Sequence, residues 1–528
     1  MPLKWLMGLF EQDAPEHLEA SAVLPEGAAE SWDGRLMTLL ADAGARDPGR
    51  ADAAARELRN RVERMDAPQW VRADDALRHW LRIYYRAQSP AWLGGTEDVR
   101  ALRLPADAEA AVVGLLGAHH SGYIREAAVR RLALVRGGDE MPPLLLRAND
   151  WVPQVRGLAL DALRARLSPT YAEAWVRWLH LVLRLGGRGS ADARPLVDAV
   201  MELLRAPECA DAVWAGLGSP DRTVRRTCFG ILERAGGTGL RPLAQAALGS
   251  NDVVLRRHAV RVADALDDAS LRTVLPALVR DPLPGIRRDA LGLAARRAGA
   301  DALPWLREAL LDSAGGVRAE ARAALQRLSP VDFAAFYREQ VAAGGARLAA
   351  AVAGLGETGG EPDAESVCPL LGDPLPRVRA AAVRALARLG GTAALPTVLA
   401  AVADASPSVS RAAAAAVLDG VRTLGIAPLG ALMRDGRAHV RQSALSLLVA
   451  RGKWESIPWI LRALVDPDER IRRYARTYLR QWNQRFNRVA SQPTPEQLAE
   501  FGAALEQAAD AVDPQMRDWL RFAAGLPR

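Results

Sequence analysis

The hydrophobic positions of this chain follow a helical spacing that itself repeats along the sequence. A β-branched or leucine residue, here called the marker, recurs with alanine usually four and leucine usually eight positions later. These three positions share one face of an α-helix. Within three runs the marker returns every 31 residues. The ten markers are Ile124, Val155, Val224, Leu255, Ile286, Val317, Val378, Val409, Val440 and Ile471. The pattern predicts stacked helical hairpins that share a continuous core.

Each repeat carries further fixed positions around its marker. The residue after the marker is usually arginine. The residue four after the marker is alanine in nine repeats and Cys228 in the tenth, which predicts a close approach of adjacent second helices. Five residues before the marker lies Asp150, Asp281, Asp312, Asp373, Asp404, Asp435 or Asp466. Thirteen before it lies Pro142, Pro242, Pro304, Pro396 or Pro458.

A proline in the first helix, an aspartate in the turn and Val-Arg opening the second helix resemble the HEAT-repeat family. The bacterial HEAT-like form named after phycobilin lyases is the variant most similar. The resemblance implies an all-α, right-handed α-solenoid of about 11–12 HEAT-like hairpins with helical caps. It also implies a ladder of turn aspartates and helix arginines, which gives a structural role to Arg156, Arg287, Arg318, Arg379, Arg441 and Arg472. Ser410 replaces the arginine of one repeat, so we expect a weaker junction there.

The repeat also divides the chain. The predicted segments are a loosely ordered or partly helical extension (1–50), an N-terminal helical cap (51–110), the HEAT-like array (111–490) and a C-terminal helical cap (491–528). Two markers, 317 and 378, are 61 residues apart, and a degenerate copy around Arg347 fills the gap. An irregular insertion is expected at about 165–218, beginning with a long helix over 170–185.

Composition and charge exclude few classes of function. Half of the residues are hydrophobic but only 5% are aromatic, and the net charge is +7. Lysine occurs only at Lys4 and Lys453, so the positive charge is almost all arginine. The three cysteines form no CxxC pair, which fits a reduced compartment. Because no run of 18 apolar residues is present, we expect a protein without a membrane span, located in the cytoplasm.

The sequence lacks the motifs of common enzymes. It contains no GxxxxGK[ST], HExxH or GxSxG pattern. Deoxyhypusine hydroxylases, which are similar in fold, hold iron with His-Glu pairs, and this sequence has no His-Glu dipeptide. A resemblance to HEAT-like DNA glycosylases would rest on Trp175, Trp178 and Asp192 without a matching motif. We therefore predict no cofactor, no metal, no small-molecule site and no enzymatic activity.

Two arginine-rich regions are candidate binding surfaces. Arg226, Arg257 and Arg288 lie two residues after their markers in three successive repeats, and helices in such stacks are about 10 Å apart. A row of this kind can hold phosphates or an acidic partner segment, or can be a solvated face. Residues 470–488 contain seven arginines and no acid, with an aromatic residue at every fourth position from 474 to 486. This stretch, with Arg473, Arg480 and Trp482, is either a nucleic-acid groove or a face covered by the cap.

Tryptophan concentrates where the repeat is irregular. Trp175 and Trp178 lie in the insertion, where they either fill space or anchor a partner. The sequence as a whole favours a non-enzymatic scaffold or adaptor that binds a protein partner on its concave surface or its Trp-rich ends. The alternatives are a solenoid that binds nucleic acid, with DNA repair as one possible role, and a lyase or chaperone that acts on a modified protein.

Overall fold

The computed structural model describes residues 32–45, 47–88, 96–188, 191–486 and 491–526, and every regular element in these ranges is helical. The chain divides into two compact units, Met1–Val274 and Leu275–Arg528. Both units are built from helical hairpins whose neighbours pack on one another. The prediction of an all-α solenoid of stacked hairpins is confirmed.

The first unit contains the helices of the N-terminal region, the irregular insertion and the first regular repeats. The bounds are α1 Trp32–Asp42, α2 Pro48–Glu63, α3 Ala67–Gln88, α4 Thr96–Ala101, α5 Glu109–Leu116, α6 Gly122–Leu132, α7 Met141–Arg147, α8 Pro153–Arg164, α9 Ala172–Arg177, α10 Leu179–Arg188, α11 Arg194–Leu203, α12 Ala210–Gly216, α13 Arg222–Ala235, α14 Leu240–Gly249, α15 Val253–Asp264 and α16 Asp268–Leu278.

The second unit continues the alternation of first and second helices. The bounds are α17 Pro284–Arg297, α18 Leu303–Ala309, α19 Gly315–Leu328, α20 Phe333–Ala343, α21 Leu348–Thr358, α22 Ala364–Val367, α23 Pro376–Leu389, α24 Leu395–Ala400, α25 Pro407–Val417, α26 Ile426–Leu432, α27 Ala438–Arg451, α28 Lys453–Ala463, α29 Glu469–Arg485, α30 Pro495–Gln507 and α31 Pro514–Ala524. Short 3₁₀ turns join several of them.

Turn chemistry explains where the second helices begin. The turn aspartate accepts a backbone N–H two residues later, as Asp312 does from Ala314 (2.8 Å) and Asp404 from Ser406 (2.7 Å). Such side-chain turns reverse the chain and satisfy a donor that the helix leaves free. Proline then often occupies the first helical position, where its fixed φ is compatible with a helix.

The second helices of the second unit pack directly on one another. Contacts join α17 to α19, and the succession continues through α21, α23, α25 and α27 to α29. All ten residues four positions after the markers, from Ala128 to Ala475, are fully buried. The predicted alanine column is therefore confirmed as part of the buried core.

Enlarging one residue of this column is expected to destabilise the stack. Ala290→Leu adds three carbon atoms at a site with no exposed surface, so we expect the free energy of unfolding to fall by about 1–3 kcal/mol. The matched control is Ala319→Leu, at an exposed position of α19, with an expected effect within about 0.5 kcal/mol. Thermal unfolding followed by circular dichroism measures both, and equal effects would contradict the close-packed column.

Three sequence expectations need adjustment. The helix expected over 170–185 is two helices, because the backbone at Trp178 (φ −102°, ψ 15°) departs from helical values. The degenerate repeat around Arg347 is a complete hairpin, α20–α21. Of the N-terminal extension, only residues from 32 onward lie within the described ranges, and Trp32–Asp42 is helical. The segment boundaries stay predictions.

Candidate partner-binding surface

The residue after each marker joins neighbouring turns in an arginine ladder. Arg287, Arg379 and Arg441 each bond both oxygens of the aspartate 25 residues further on, with N–O distances of 2.7–2.9 Å. Each also donates through Nη1 to the carbonyl six residues earlier, which belongs to its own turn. The hydrogen bonds from Arg379 lower the pKa of Asp404 below its usual value, and they are the largest cause of this shift. The ladder implied by the family resemblance is confirmed at these junctions.

In the irregular repeats, the arginine after the marker pairs with an acidic residue other than the aspartate of the regular ladder. Arg156 bonds Asp192 at 2.9 Å, and Arg318 bonds Glu357. In the repeat marked by Ile471, Arg472 pairs with Glu469 on its own helix at 2.6 Å. These arginines keep a structural role with different partners.

The repeat with Ser410 is held differently. The Ser410 hydroxyl donates to Ser443 at 2.9 Å, and both side chains are buried. Asp435, the aspartate that an arginine at 410 would bind, pairs instead with Arg437 of its own turn at 2.7 Å. This pairing is local to one turn, so the Ser410–Ser443 hydrogen bond and that from His439 Nε2 to the Asp404 carbonyl at 3.0 Å join the two repeats in place of a charged bridge. The weaker junction expected there stays a prediction.

The predicted arginine row has three different environments. Arg226 bonds Asp252 through Nε and Nη2 at 2.9 and 3.0 Å, so it acts as a bridge between repeats. Arg257 is exposed and has no ion pair among the described residues. Arg288 is exposed and contacts its neighbour Asp289 at 2.7 Å. The sequence pattern predicts the same role for all three arginines, but in the structure Arg226 forms a contact between repeats.

The basic helix α29 is covered on one side and open on the other. Trp482 is buried, donates from Nε1 to the Lys453 carbonyl at 2.7 Å, and packs edge-on against Trp519 with ring centres 6.1 Å apart. Helices α30 and α31 contribute Phe501 and Leu520 to the same cluster. Trp482 is therefore a core residue of the cap. On the open side, Arg473 and Arg480 are exposed.

The two tryptophans of the insertion are also core residues. Trp175 has no exposed surface and donates from Nε1 to the Arg166 carbonyl at 2.9 Å. Trp178 is 4% exposed. In this packing neither ring can reach a partner. Both tryptophans therefore fill space between α9, α10 and their neighbours instead of anchoring a partner.

A tryptophan that the sequence analysis did not select is exposed. Trp151 follows the turn aspartate Asp150 and leaves 63% of its surface open. The guanidinium carbons of Arg78 and Arg125 lie 4.6 and 4.3 Å from its ring centre, and Leu145 lines an adjacent cavity of about 300 Å³. The sequence does distinguish this tryptophan from the other repeats. At the same turn position they have Pro282, Ser313, Pro374, Ala405, Gly436 or Pro467.

A second missed feature is a groove in the second unit between α23 and α25. It encloses about 690 Å³ and is lined by Arg384, Arg388 and the alanines of α25. Both arginines are exposed, and neither forms an ion pair among the described residues. The signal was the run of five alanines at 412–416, which removes bulk from one wall.

The described residues offer few groups for chemistry. They contain no cluster of three or more His, Cys, Asp or Glu side chains that could hold a metal ion. Burial, together with the nearby His120 and Arg125 charges, lowers the pKa of His119 to about 3. Burial raises the pKa of the Cys228 thiol to about 12, which keeps it protonated. Within the same ranges, no helix combines the length and apolarity needed to cross a bilayer.

The stacked hairpins, the buried alanine column and the turn ladder define a helical-repeat protein of the α-solenoid class. The family profile "HEAT repeats" matches residues 240–326 and 346–419. These segments of the chain are HEAT repeats. A comparison with curated protein sequences finds no match.

Three solved structures match this chain with low sequence identity and low TM-scores. Human deoxyhypusine hydroxylase in complex with glycerol matches with 21% identity over 49% of this chain and 99% of that chain, with a TM-score of 0.21. Kap95p, from a structure on its binding to RanGDP, matches with 12% identity over 93% and 70% of the two chains, with a TM-score of 0.35. Kap121p bound to Pho4p matches with 14% identity over 94% and 54%, with a TM-score of 0.24.

Proposed function

We propose that this chain is a non-enzymatic scaffold that binds a protein partner on the exposed face of its second helices. The observation that carries the proposal is the contrast between two sets of arginines. Ladder arginines such as Arg287 and Arg379 are fully used in bridges between repeats. Arg257 in the first unit, and Arg384 and Arg388 in the second, are exposed on second helices and have no ion pair in the described part of the chain.

Unpaired guanidinium groups on a rigid face favour an acidic partner. A guanidinium group offers five donors in a fixed plane and binds carboxylates through two parallel bonds. Because the second helices are packed through the alanine column and the ladder, the backbone that carries these donors is already ordered before binding. Less conformational entropy is then lost on association than on a flexible loop.

A protein partner is favoured over nucleic acid by the charges interleaved on this face. Asp289 on α17 and Asp419 directly after α25 are exposed on, or next to, other second helices. Carboxylates at these positions repel a continuous phosphate backbone, whose charges are spaced every few ångströms. A protein segment can place basic or neutral residues beside them.

The test compares two triple variants with equal change of charge. Arg257→Glu/Arg384→Glu/Arg388→Glu alters the second helices, and Arg241→Glu/Arg307→Glu/Arg434→Glu alters exposed positions on or next to first helices. Immobilised wild-type and variant chains are used to capture proteins from native cell extract, and each captured protein is purified and titrated by calorimetry. We expect at least one protein that binds the wild type and the second variant directly but binds the first at least about tenfold more weakly.

Two results contradict the proposal. The first is that no captured protein distinguishes the two triple variants. The second is a gel shift at low salt in which single- or double-stranded DNA binds the wild type with a steep salt dependence and displaces the captured protein. The second result identifies the arginine face as a nucleic-acid surface.

A further inference from the structure

The groove between α23 and α25 has two chemically different walls. Arg384 and Arg388 project from α23, one helical turn apart. Ala412, Ala415 and Leu395 supply apolar surface from α25 and α24. Asp419, just after α25, stands at the rim. The enclosed volume of about 690 Å³ falls within the range of ordinary binding clefts.

The groove exists because the repeat of α25 is smaller than its neighbours. α25 has 11 residues, whereas α23 and α27 have 14 each. Ala412, Ala415 and Ala416 line the groove on its side, and their side chains end at Cβ. A thin, short helix between two longer ones leaves space above it. The same helix carries Ser410, the position where the ladder is interrupted.

The arginine wall carries positive charge without an ion-pair partner among the described residues. Arg384 and Arg388 are exposed and make no ion pair there. Partial desolvation, followed by the positive charges of Arg388 and Arg318, lowers the pKa of Arg384. Like charges held this close raise the free energy of the unbound protein, and an anion in the groove relieves that repulsion.

We propose that this groove binds an extended, acidic segment of the partner protein, with acidic and small apolar residues alternating along it. The proposal rests on the scaffold function above and names the chemistry of its partner. In an extended chain, every second side chain lies on the same side, about 7 Å apart. Residues one turn apart on α23 are about 6 Å apart, so alternate carboxylates reach Arg384 and Arg388 together. The intervening side chains face the alanine wall.

The alanine wall and Asp419 favour a peptide over a phosphate backbone. A nucleic acid would place sugars and further charges where the groove offers methyl groups and a carboxylate. The described lining contains no aromatic ring for base stacking. A peptide with a neutral or basic residue near Asp419 avoids both conflicts and fixes the direction of the bound segment.

The experiment measures the binding of a defined probe to the full-length chain. The probe is a fluorescein-labelled peptide of about twelve residues in which glutamate alternates with alanine and leucine, titrated by anisotropy at low salt. A peptide of the same length with glutamine in place of glutamate tests the need for charge. We expect the acidic peptide to bind and the glutamine peptide to bind at least about tenfold more weakly.

Three variants locate the binding site. Arg384→Glu/Arg388→Glu is expected to reduce affinity at least about tenfold, and its charge-matched control Arg473→Glu/Arg480→Glu to change it less than about twofold. Ala415→Trp fills the groove without changing the charge, at an exposed position where folding tolerates it. This substitution is expected to weaken binding about fivefold or more, because it removes the apolar wall's free volume.

Each other outcome overturns the inference. Equal loss with both double variants shows that the peptide responds only to the overall field of the protein. No effect of Ala415→Trp places the peptide outside the groove. Tighter binding of a single-stranded oligonucleotide of equal charge, sensitive to the same arginines, makes the groove a nucleic-acid site. If captured partners still separate the two triple variants while the acidic peptide fails to bind, the scaffold function stands and only this inference falls.

Discussion

Replacing Arg166 by methionine is expected to lower the free energy of unfolding of the first unit by about 3–5 kcal/mol. Arg166 is fully buried and bonds the equally buried Glu140 at 2.6 Å. Its other nitrogens donate to the carbonyls of Ala162 and Val135. Methionine has a similar length but no charge, so the Glu140 carboxylate would remain in the interior without its counter-ion.

A double variant separates the charge from the packing. Arg166→Met/Glu140→Leu removes both ions, so its cost should be smaller than that of Arg166→Met alone. Arg164→Met, which breaks an exposed pair with Asp161, should change stability by less than about 1 kcal/mol. Urea unfolding followed by tryptophan fluorescence measures all three. Equal costs for Arg166→Met and Arg164→Met would show that the buried pair contributes no more than a surface contact.

The repeated positions could be predicted because one pattern specifies them many times. The regular hairpins use the same three positions in the same way. These positions are the marker, the small residue four positions later and the turn aspartate. Ten copies therefore support one interpretation. The alanine column was predicted for this reason, whereas the bonds of Arg287, Arg379 and Arg441 were implied by the resemblance to the HEAT-repeat family.

Features outside the repeated positions could not be predicted in the same way. Arg166 and Glu140 pair only because α7 and α8 bring two distant turns together, and no other repeat shows their pattern. The burial of Trp175 and Trp178 depends on how the irregular insertion folds, which periodicity does not define. Arg226 occupies the position of a surface residue but reaches Asp252, because that aspartate lies two residues later than usual relative to the next marker.

The groove between α23 and α25 is the clearest example of a feature that the sequence pattern does not predict. The alanine run at 412–416 is visible in the sequence, but alanine by itself indicates only a helix. Its effect depends on α25 being shorter than both neighbours and on two arginines of α23 facing it. A depression is a property of three helices together, so a one-dimensional pattern does not show it.

Replacing Gly356 by alanine is expected to destabilise the second unit by about 1–3 kcal/mol, although alanine is the better helix former. Gly356 lies within α21, where this helix packs against α23. A Cβ added there would lie 2.6 Å from both the Cα and the Cβ of Ala385. Since one of these atoms belongs to the backbone of α23, a side-chain rotation cannot relieve the overlap. The two helices must separate, and the contacts around the alanine column weaken with them.

The same substitution at an open site should have the opposite sign. Gly230 lies within α13, its φ is not in the left-handed region, and an added Cβ meets no atom within 4 Å. Gly230→Ala should therefore stabilise the first unit by about 0.5–1 kcal/mol, because alanine loses less backbone entropy in a helix. Thermal unfolding of both variants beside the wild type provides the comparison. If both substitutions raise the midpoint, α21 and α23 are farther apart than their backbone contact requires, and the close stacking of second helices does not hold at this junction.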